Sequence, residues 1–188
     1  MNVVLLVGSI VGNKTRTALL AVERLLKEQR PEISVTVVDL GGKDIDFSDG
    51  RPYFEYSGDT LEVATALMEA DGILIGTPTF QASIPGSLKN VFDLLPIYAF
   101  REKVVGVVAT AGTPKHYLMV EQQLKPILSY MKAIHLTNYV FLEEQDVDQG
   151  QIVNDDIMTR LERLVSEFGE TLDSRAWMQE QINNRFDF

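Results

Sequence analysis

Three short segments of this chain carry residue types able to do chemistry, and each follows an apolar run. The first is Gly8-Ser9-Ile10-Val11-Gly12-Asn13-Lys14-Thr15-Arg16-Thr17. It sets glycines, hydroxyls and two cations between an apolar run and a helical pattern. The start of a helix leaves backbone N–H groups without partners, and the helix dipole adds partial positive charge there. Such a turn attracts an anion. The spacing is neither the dinucleotide fingerprint G-x-G-x-x-G nor a Walker A loop. A monophosphate held by hydroxyls and amides fits it; the same residues could also serve as an ordinary capped turn.

The second segment is Gly76-Thr77-Pro78-Thr79-Phe80-Gln81-Ala82-Ser83-Ile84-Pro85-Gly86. Its prolines restrict the backbone, so fixed amides and carbonyls can meet the polar edge of a flat ring, with Phe80 as a side wall. The third is Thr110-Ala111-Gly112-Thr113-Pro114-Lys115-His116, whose small residues admit a ligand close to the backbone. His116 stands in the first turn of a helical pattern, a place where a lone histidine is usually structural. No nucleophile–base constellation is present, so no residue is assigned as catalytic. The chain has no cysteine, which excludes disulfides, thiolate catalysis and cysteine-based metal sites; no metal site is expected.

These loops need elements to hold them. Asn2–Val7, Ile33–Leu40, Gly72–Gly76, Lys103–Ala109 and Ile134–Phe141 read as strands, mostly continuous apolar runs of the kind buried on both faces. Helical periodicity occupies Thr17–Arg30, Thr60–Ala70, Ile84–Leu95, Pro114–Lys132 with a kink at Pro126, and Asp155–Asp173 or beyond. Gly41–Asp59 reads as a long loop. The tail Trp177–Phe188, polar with a few aromatics, is expected to be loose or docked on a neighbouring subunit.

Alternation of strand and helix predicts an α/β fold: a flavodoxin-like, three-layer, doubly wound sandwich with a five-stranded parallel sheet in the order 2-1-3-4-5. Ligands in such sheets bind beyond the carboxyl ends of the strands, where the strand order reverses. That is where the three loops fall. A receiver-type signalling domain shares this order, but it needs acidic residues where Gly8-Ser9 and Gly76-Thr77 stand.

The 188 residues suit one domain, 1–188. Net charge is −10, and from Phe141 onward 12 acidic residues face 4 arginines. That acidity and the lack of a basic run argue against nucleic acid. No apolar run approaches the length of a membrane span, and the start lacks the marks of a signal peptide. The expectation is a soluble cytoplasmic protein without membrane partners.

Gly8-Ser9, followed much later by Gly76-Thr77-Pro78-Thr79-Phe80-Gln81-Ala82-Ser83-Ile84-Pro85-Gly86-Ser87-Leu88-Lys89-Asn90 and Asp93, resembles the NAD(P)H-dependent FMN reductase family, whose motif runs roughly G-[ST]-P-x-Y-x-x-S-x-x-G-x-L-K-N-x-x-D. Lys125-Pro126-Ile127-Leu128 resembles a segment of reductases that serve two-component sulfonate monooxygenases. The likeness spans residues 1 to about 140. It implies FMN as cofactor and NADPH or NADH as donor. It puts the phosphate at Ser9, Thr15, Arg16 and Thr17, the flavin ring on Pro78, Thr79, Phe80 and Gln81, and the ring's other edge at Thr110, Ala111 and Gly112. Three positions depart from the pattern. Val11 replaces an arginine, Phe80 a tyrosine, and Gln122 stands where the sulfonate-type reductases insert an aromatic.

The implied reaction is hydride transfer from NAD(P)H to the flavin and then to a small acceptor (free FMN, a quinone, an azo or nitro compound) by a ping-pong route. The cofactor carries the chemistry. A flavodoxin-type electron carrier without NAD(P)H activity is the alternative. A homodimer or homotetramer, with each flavin site completed by the partner, is also expected. Ile84–Leu95 is apolar on more than one face, and Pro96–Phe100 is aromatic where a turn should be polar. Tyr117, Met119, Leu124, Ile127, Leu128 and Tyr130 extend that patch. Reductases of this kind pair through these two helices.

Overall fold

The computed structural model describes residues 1–186. Its sheet is built from β1 (Asn2–Val7), β2 (Ser34–Asp39), β3 (Gly72–Pro78) and β4 (Val104–Thr110), with a fifth position filled by two pieces, β5 (Ile134–His135) and β6 (Val140–Leu142). The order is β2-β1-β3-β4-β5, with β6 also beside β4, and every pairing is parallel. This is the anticipated flavodoxin-like order. β1, β3 and β4 are almost wholly buried, while β2, at the edge, alternates.

Two apolar layers sandwich the sheet. On one face α1 (Lys14–Gln29) and α5 (Asp155–Phe186) bury Leu19, Leu26, Leu161 and Phe168 against Leu5 and Leu74. On the other, α2 (Gly58–Glu69), α3 (Gly86–Leu94) and α4 (Lys125–Tyr130) bury Leu67, Leu88, Phe92 and Leu128 against Leu6, Ile73 and Ile75. Side chains alternate across each strand, so a continuous apolar run supplies both layers.

Several elements depart from expectation. α1 begins at Lys14 rather than Thr17, because the Asn13 carbonyl accepts the Thr17 N–H at 2.8 Å and winds the loop's end into the helix. α3 begins at Gly86, with Pro85 outside its first turn. The expected helix over 114–132 is three pieces: a 3₁₀ turn at Pro114–His116, a π-helical turn at Val120–Leu124, and α4. Pro126 gives the reason. It lacks the N–H that an α-helix would donate to the Gln122 carbonyl, and its ring crowds that carbonyl. One wider turn, in which the Lys125 N–H reaches the Val120 carbonyl, relieves both.

The fifth strand breaks at residues 136–139, and the freed Thr137 carbonyl accepts the buried Lys125 Nζ at 2.6 Å. A short antiparallel hairpin, β7 (Val147–Asp148) and β8 (Gln151–Ile152), was not anticipated. Trp177 is not part of a loose tail: α5 continues through it to Phe186, with Trp177, Met178 and Ile182 exposed. Asp187 and Phe188, the last of that tail, lie outside the described residues. No helix among the described residues is long and apolar enough to cross a membrane.

Candidate functional site

β1 and β3 end side by side at Gly8 and Gly76, and the Gly8 N–H donates to the Gly76 carbonyl at 2.8 Å. Neither position tolerates a side chain. A Cβ on Gly8 would lie 2.9 Å from that carbonyl, and one on Gly76 would lie 2.8 Å from Leu19 and 2.9 Å from the Thr15 methyl. The two glycines let α1 and α3 close on the strand ends, where the strand order reverses.

The first loop follows β1. Ser9 is buried; its hydroxyl donates to the Val11 carbonyl at 2.5 Å and accepts the Val11 N–H at 3.3 Å. Gly12 follows with φ +77°, a left-handed conformation suited to glycine. The Thr17 N–H is spent on the first intrahelical bond, so the amides of Lys14, Thr15 and Arg16 are the ones left facing out of the helix end. Thr15 Oγ1 lies 2.8 Å from Thr110 Oγ1, both buried. Arg16 Nε pairs with Asp39 at 2.9 Å, and Lys14 Nζ with Glu144 at 2.5 Å. Thr17 turns elsewhere, into a cleft with Leu20, Arg24 and Gly150–Ile152.

The second loop prolongs β3. The Thr79 N–H donates to the Thr110 carbonyl at 2.8 Å, so Pro78 and Thr79 are held flat beside β4. Thr79 Oγ1 is buried and has no partner. Phe80 and Ser83 exchange two backbone hydrogen bonds of 2.9 Å around Gln81 (φ 49°) and Ala82 (φ 61°). Two successive left-handed residues mark a primed hairpin turn, usually occupied by Asn-Gly. Phe80 is 40% exposed, so it is not in the core. The Ser83 hydroxyl reaches Gln123 Oε1 at 3.2 Å, which ties this turn to the π-helical turn.

The third loop leaves β4 at the buried Thr110. The Ala111 N–H donates to the Leu142 carbonyl at 3.0 Å, and Gly112 is exposed. A Cβ on Gly112 would meet nothing nearer than the Glu144 carboxylate, at 3.9 Å. His116 ends a 3₁₀ turn capped by the Thr113 hydroxyl. Beyond it Tyr117, Tyr139 and Phe141 pack edge to face or tilted. The Tyr139 hydroxyl donates to the Tyr117 carbonyl at 2.6 Å, and burial pushes its pKa up to about 12, with smaller contributions from Tyr117 and Glu121.

Ser9, Thr15, Arg16, Pro78, Thr79, Phe80, Gln81, Thr110, Ala111 and Gly112 lie on the segments that follow the carboxyl ends of β1, β3 and β4. Thr17 lines a separate cleft with Leu20 and Arg24. Reading the sequence missed Glu144, whose partner lies 130 residues earlier, and Gln123. No spacing rule points to either.

A family model described as NADPH-dependent FMN reductase matches residues 1–147. The chain is similar to an NAD(P)H-dependent FAD/FMN reductase of Geobacillus thermodenitrificans (strain NG80-2), at 38% identity over 164 residues, 85% of this chain and 87% of that protein. It is similar to the crystal structure of the apo form of an NADH:FMN oxidoreductase, EMOB, with a TM-score of 0.73, 26% identity, and 89% and 87% of the two chains covered. Oxidised flavodoxin 1 from Bacillus cereus gives a TM-score of 0.64 at 15% identity over 90% of this chain and 98% of its own, which shows a shared fold alone.

Proposed function

From the premise that the chain belongs to the NADPH-dependent FMN reductase family, we propose how its three loops divide the work of holding the flavin and which acceptors it serves. The protein is an NAD(P)H-dependent FMN reductase, an oxidoreductase, and not a flavodoxin-type carrier. We place the phosphate of FMN over the amides of Lys14, Thr15 and Arg16, beside the hydroxyls of Ser9 and Thr15. The ring lies on Pro78–Gln81, with Thr110, Ala111 and Gly112 along its far edge.

The observation that carries this reading is the Thr79 hydroxyl, buried and unpartnered just past the end of β3. A buried hydroxyl without a hydrogen bond costs about 1–3 kcal/mol, and the polar edge of a flavin ring would satisfy it. The open space beside Gly112 supports the same placement. When bound, FMN supplies a ring that accepts hydride from the nicotinamide. The protein's own residues bind, orient and shield. Main-chain N–H groups hold the anion, and the Thr79 N–H bond to Thr110 keeps the two ring-facing loops in one plane. Phe80 walls the ring from water.

Ile10, Val11, Phe80, Tyr117 and Leu118, exposed apolar side chains at these loops, support a flat aromatic acceptor that stacks in the nicotinamide's place. Free FMN, quinones, azo dyes and nitroaromatics are the members of that class. The deciding experiment mixes purified protein with FMN and then, without oxygen, with NADPH or NADH. Bleaching of the flavin's visible absorbance by either donor is expected. Bound flavin that neither donor bleaches would restore the carrier reading, and failure to bind FMN would remove the site.

A homodimer remains the assembly we favour, on narrower grounds than the sequence offered. Leu88, Val91, Phe92, Leu94, Leu95 and Phe100 are already buried within the chain. The loop before α2 also covers part of α3, where the Ser48 N–H donates to Asn90 at 2.9 Å. What remains is a groove between α3 and α4 floored by Phe92 and Met131 and edged by Ile97, Pro126, Ile127 and Tyr130. Ile97 and Tyr130 are 55% and 66% exposed. Sedimentation equilibrium with FMN bound tests it: a mass near 21 kDa would rule out the dimer.

A further inference from the structure

Both cations of the first loop are paired with carboxylates from elsewhere in the fold, but the two pairs are unlike. Arg16 meets Asp39 at the end of β2, and that carboxylate is also fixed by the Gly41 N–H at 3.0 Å. Asp39 is a built-in counterion. Lys14 meets Glu144 in the 3₁₀ turn after β6, and Glu144's side chain is 72% exposed with Lys14 as its hydrogen-bond partner. An exposed pair of this kind is cheap to break.

Its position matters more than its strength. Lys14 opens the helix whose N-terminus is the anion site. Glu144 also stands beside Gly112, with its second oxygen 3.9 Å from where a Cβ would be. One carboxylate thus straps the first loop to the turn after β6, beside Gly112 of the third loop. It occupies the ammonium group that a bound phosphate would otherwise attract, and it repels that phosphate by its own charge.

We propose that Glu144 is an internal competitor with the flavin phosphate for Lys14, setting how readily FMN leaves. The proposal rests on the phosphate placement given above. A phosphate entering over the Lys14–Arg16 amides meets Lys14 already neutralised, so the backbone carries most of the attraction. Capture of Lys14 requires that the Glu144 strap open, and its closing favours release. Such a site suits a flavin that exchanges with solution more than one held permanently. The device discriminates by charge: it acts on FMN and ignores riboflavin, which has the same ring and no phosphate.

The test is titration of flavin fluorescence with FMN and with riboflavin, for the wild type, Glu144→Gln and Lys14→Ala, at low and high salt. Wild type is expected to prefer FMN. Glu144→Gln is expected to tighten FMN about three- to tenfold at low salt, the scale of one nearby, partly screened charge. It should leave riboflavin unchanged and slow FMN dissociation in stopped flow; the gain should shrink as salt rises. Lys14→Ala should remove the effect of the Glu144 substitution in the double variant. If wild type prefers FMN but Glu144→Gln changes nothing, or weakens FMN, Glu144 is no competitor and only this proposal falls. If wild type binds FMN and riboflavin equally, the phosphate placement falls with it.

Discussion

The hydroxyls of Thr15 and Thr110 meet at 2.8 Å inside the protein, joining the first turn of α1 to the end of β4. One hydroxyl donates to the other where both are buried, so removal of one leaves its neighbour buried without that partner. Thr15→Val or Thr110→Val should each cost about 1–2 kcal/mol in denaturant unfolding. The double variant should cost less than the sum, since both polar groups are then gone. Strict additivity would show that the pair is not coupled.

Ser9 and Thr17 should behave differently although both flank the same loop. Ser9 is buried and shapes the turn through Val11, while Thr17 lines the cleft beside Arg24. Ser9→Ala should weaken FMN on the order of tenfold, because the turn that presents the Lys14–Arg16 amides loses its hydroxyl brace to Val11. Thr17→Ala should leave FMN affinity unchanged. Equilibrium dialysis of the two variants decides between this assignment and one in which both hydroxyls serve.

Phe80 is 40% exposed, so its truncation opens no core cavity. Phe80→Ala should change flavin affinity or the fluorescence of bound flavin while moving Tm little. A drop in Tm with unchanged flavin binding would mean that Phe80 only packs.

Ala82 sits at φ 61° in the tight turn between Phe80 and Ser83. A side chain in this left-handed region is strained, and glycine is not. Ala82→Gly should stabilise the protein by about 0.5–1 kcal/mol, less than the full relief because glycine also loosens the unfolded chain. Thermal unfolding of the two proteins side by side is the measurement.

Asp49 links the loop before α2 to acid sensitivity. A hydrogen bond from Tyr56 first, then bonds from Arg51, pull its pKa from the ordinary 3.8 down to about 2. A depressed carboxylate supports the folded loop above its unfolded value and loses that support as pH falls towards the folded one. The Asp49–Tyr56 contact should therefore hold down to about pH 4 and release between there and about pH 2. Amide hydrogen exchange of residues 49–56 should report this step, and Asp49→Asn should abolish it.

Much of this protein was legible before folding. Apolar strands such as Val3–Val7 and Ile73–Ile75 carry their burial on both faces in their composition, so the parallel sheet follows. A doubly wound sheet opens its crevice at the strand ends, so the loops after β1, β3 and β4 were the places to look, and the motif from Gly76 to Asp93 named the family. Tertiary packing decided the rest, because periodicity records only whether a residue is buried and not against what. That Thr17 lies within α1, lining a cleft with Leu20 and Arg24, follows from three residues of extra winding at the start of that helix. The fifth strand breaks where the buried Lys125 ammonium meets the Thr137 carbonyl, a contact that no periodicity records. The strap from Glu144 to Lys14 spans 130 residues of sequence and exists only because β6 returns beside β4.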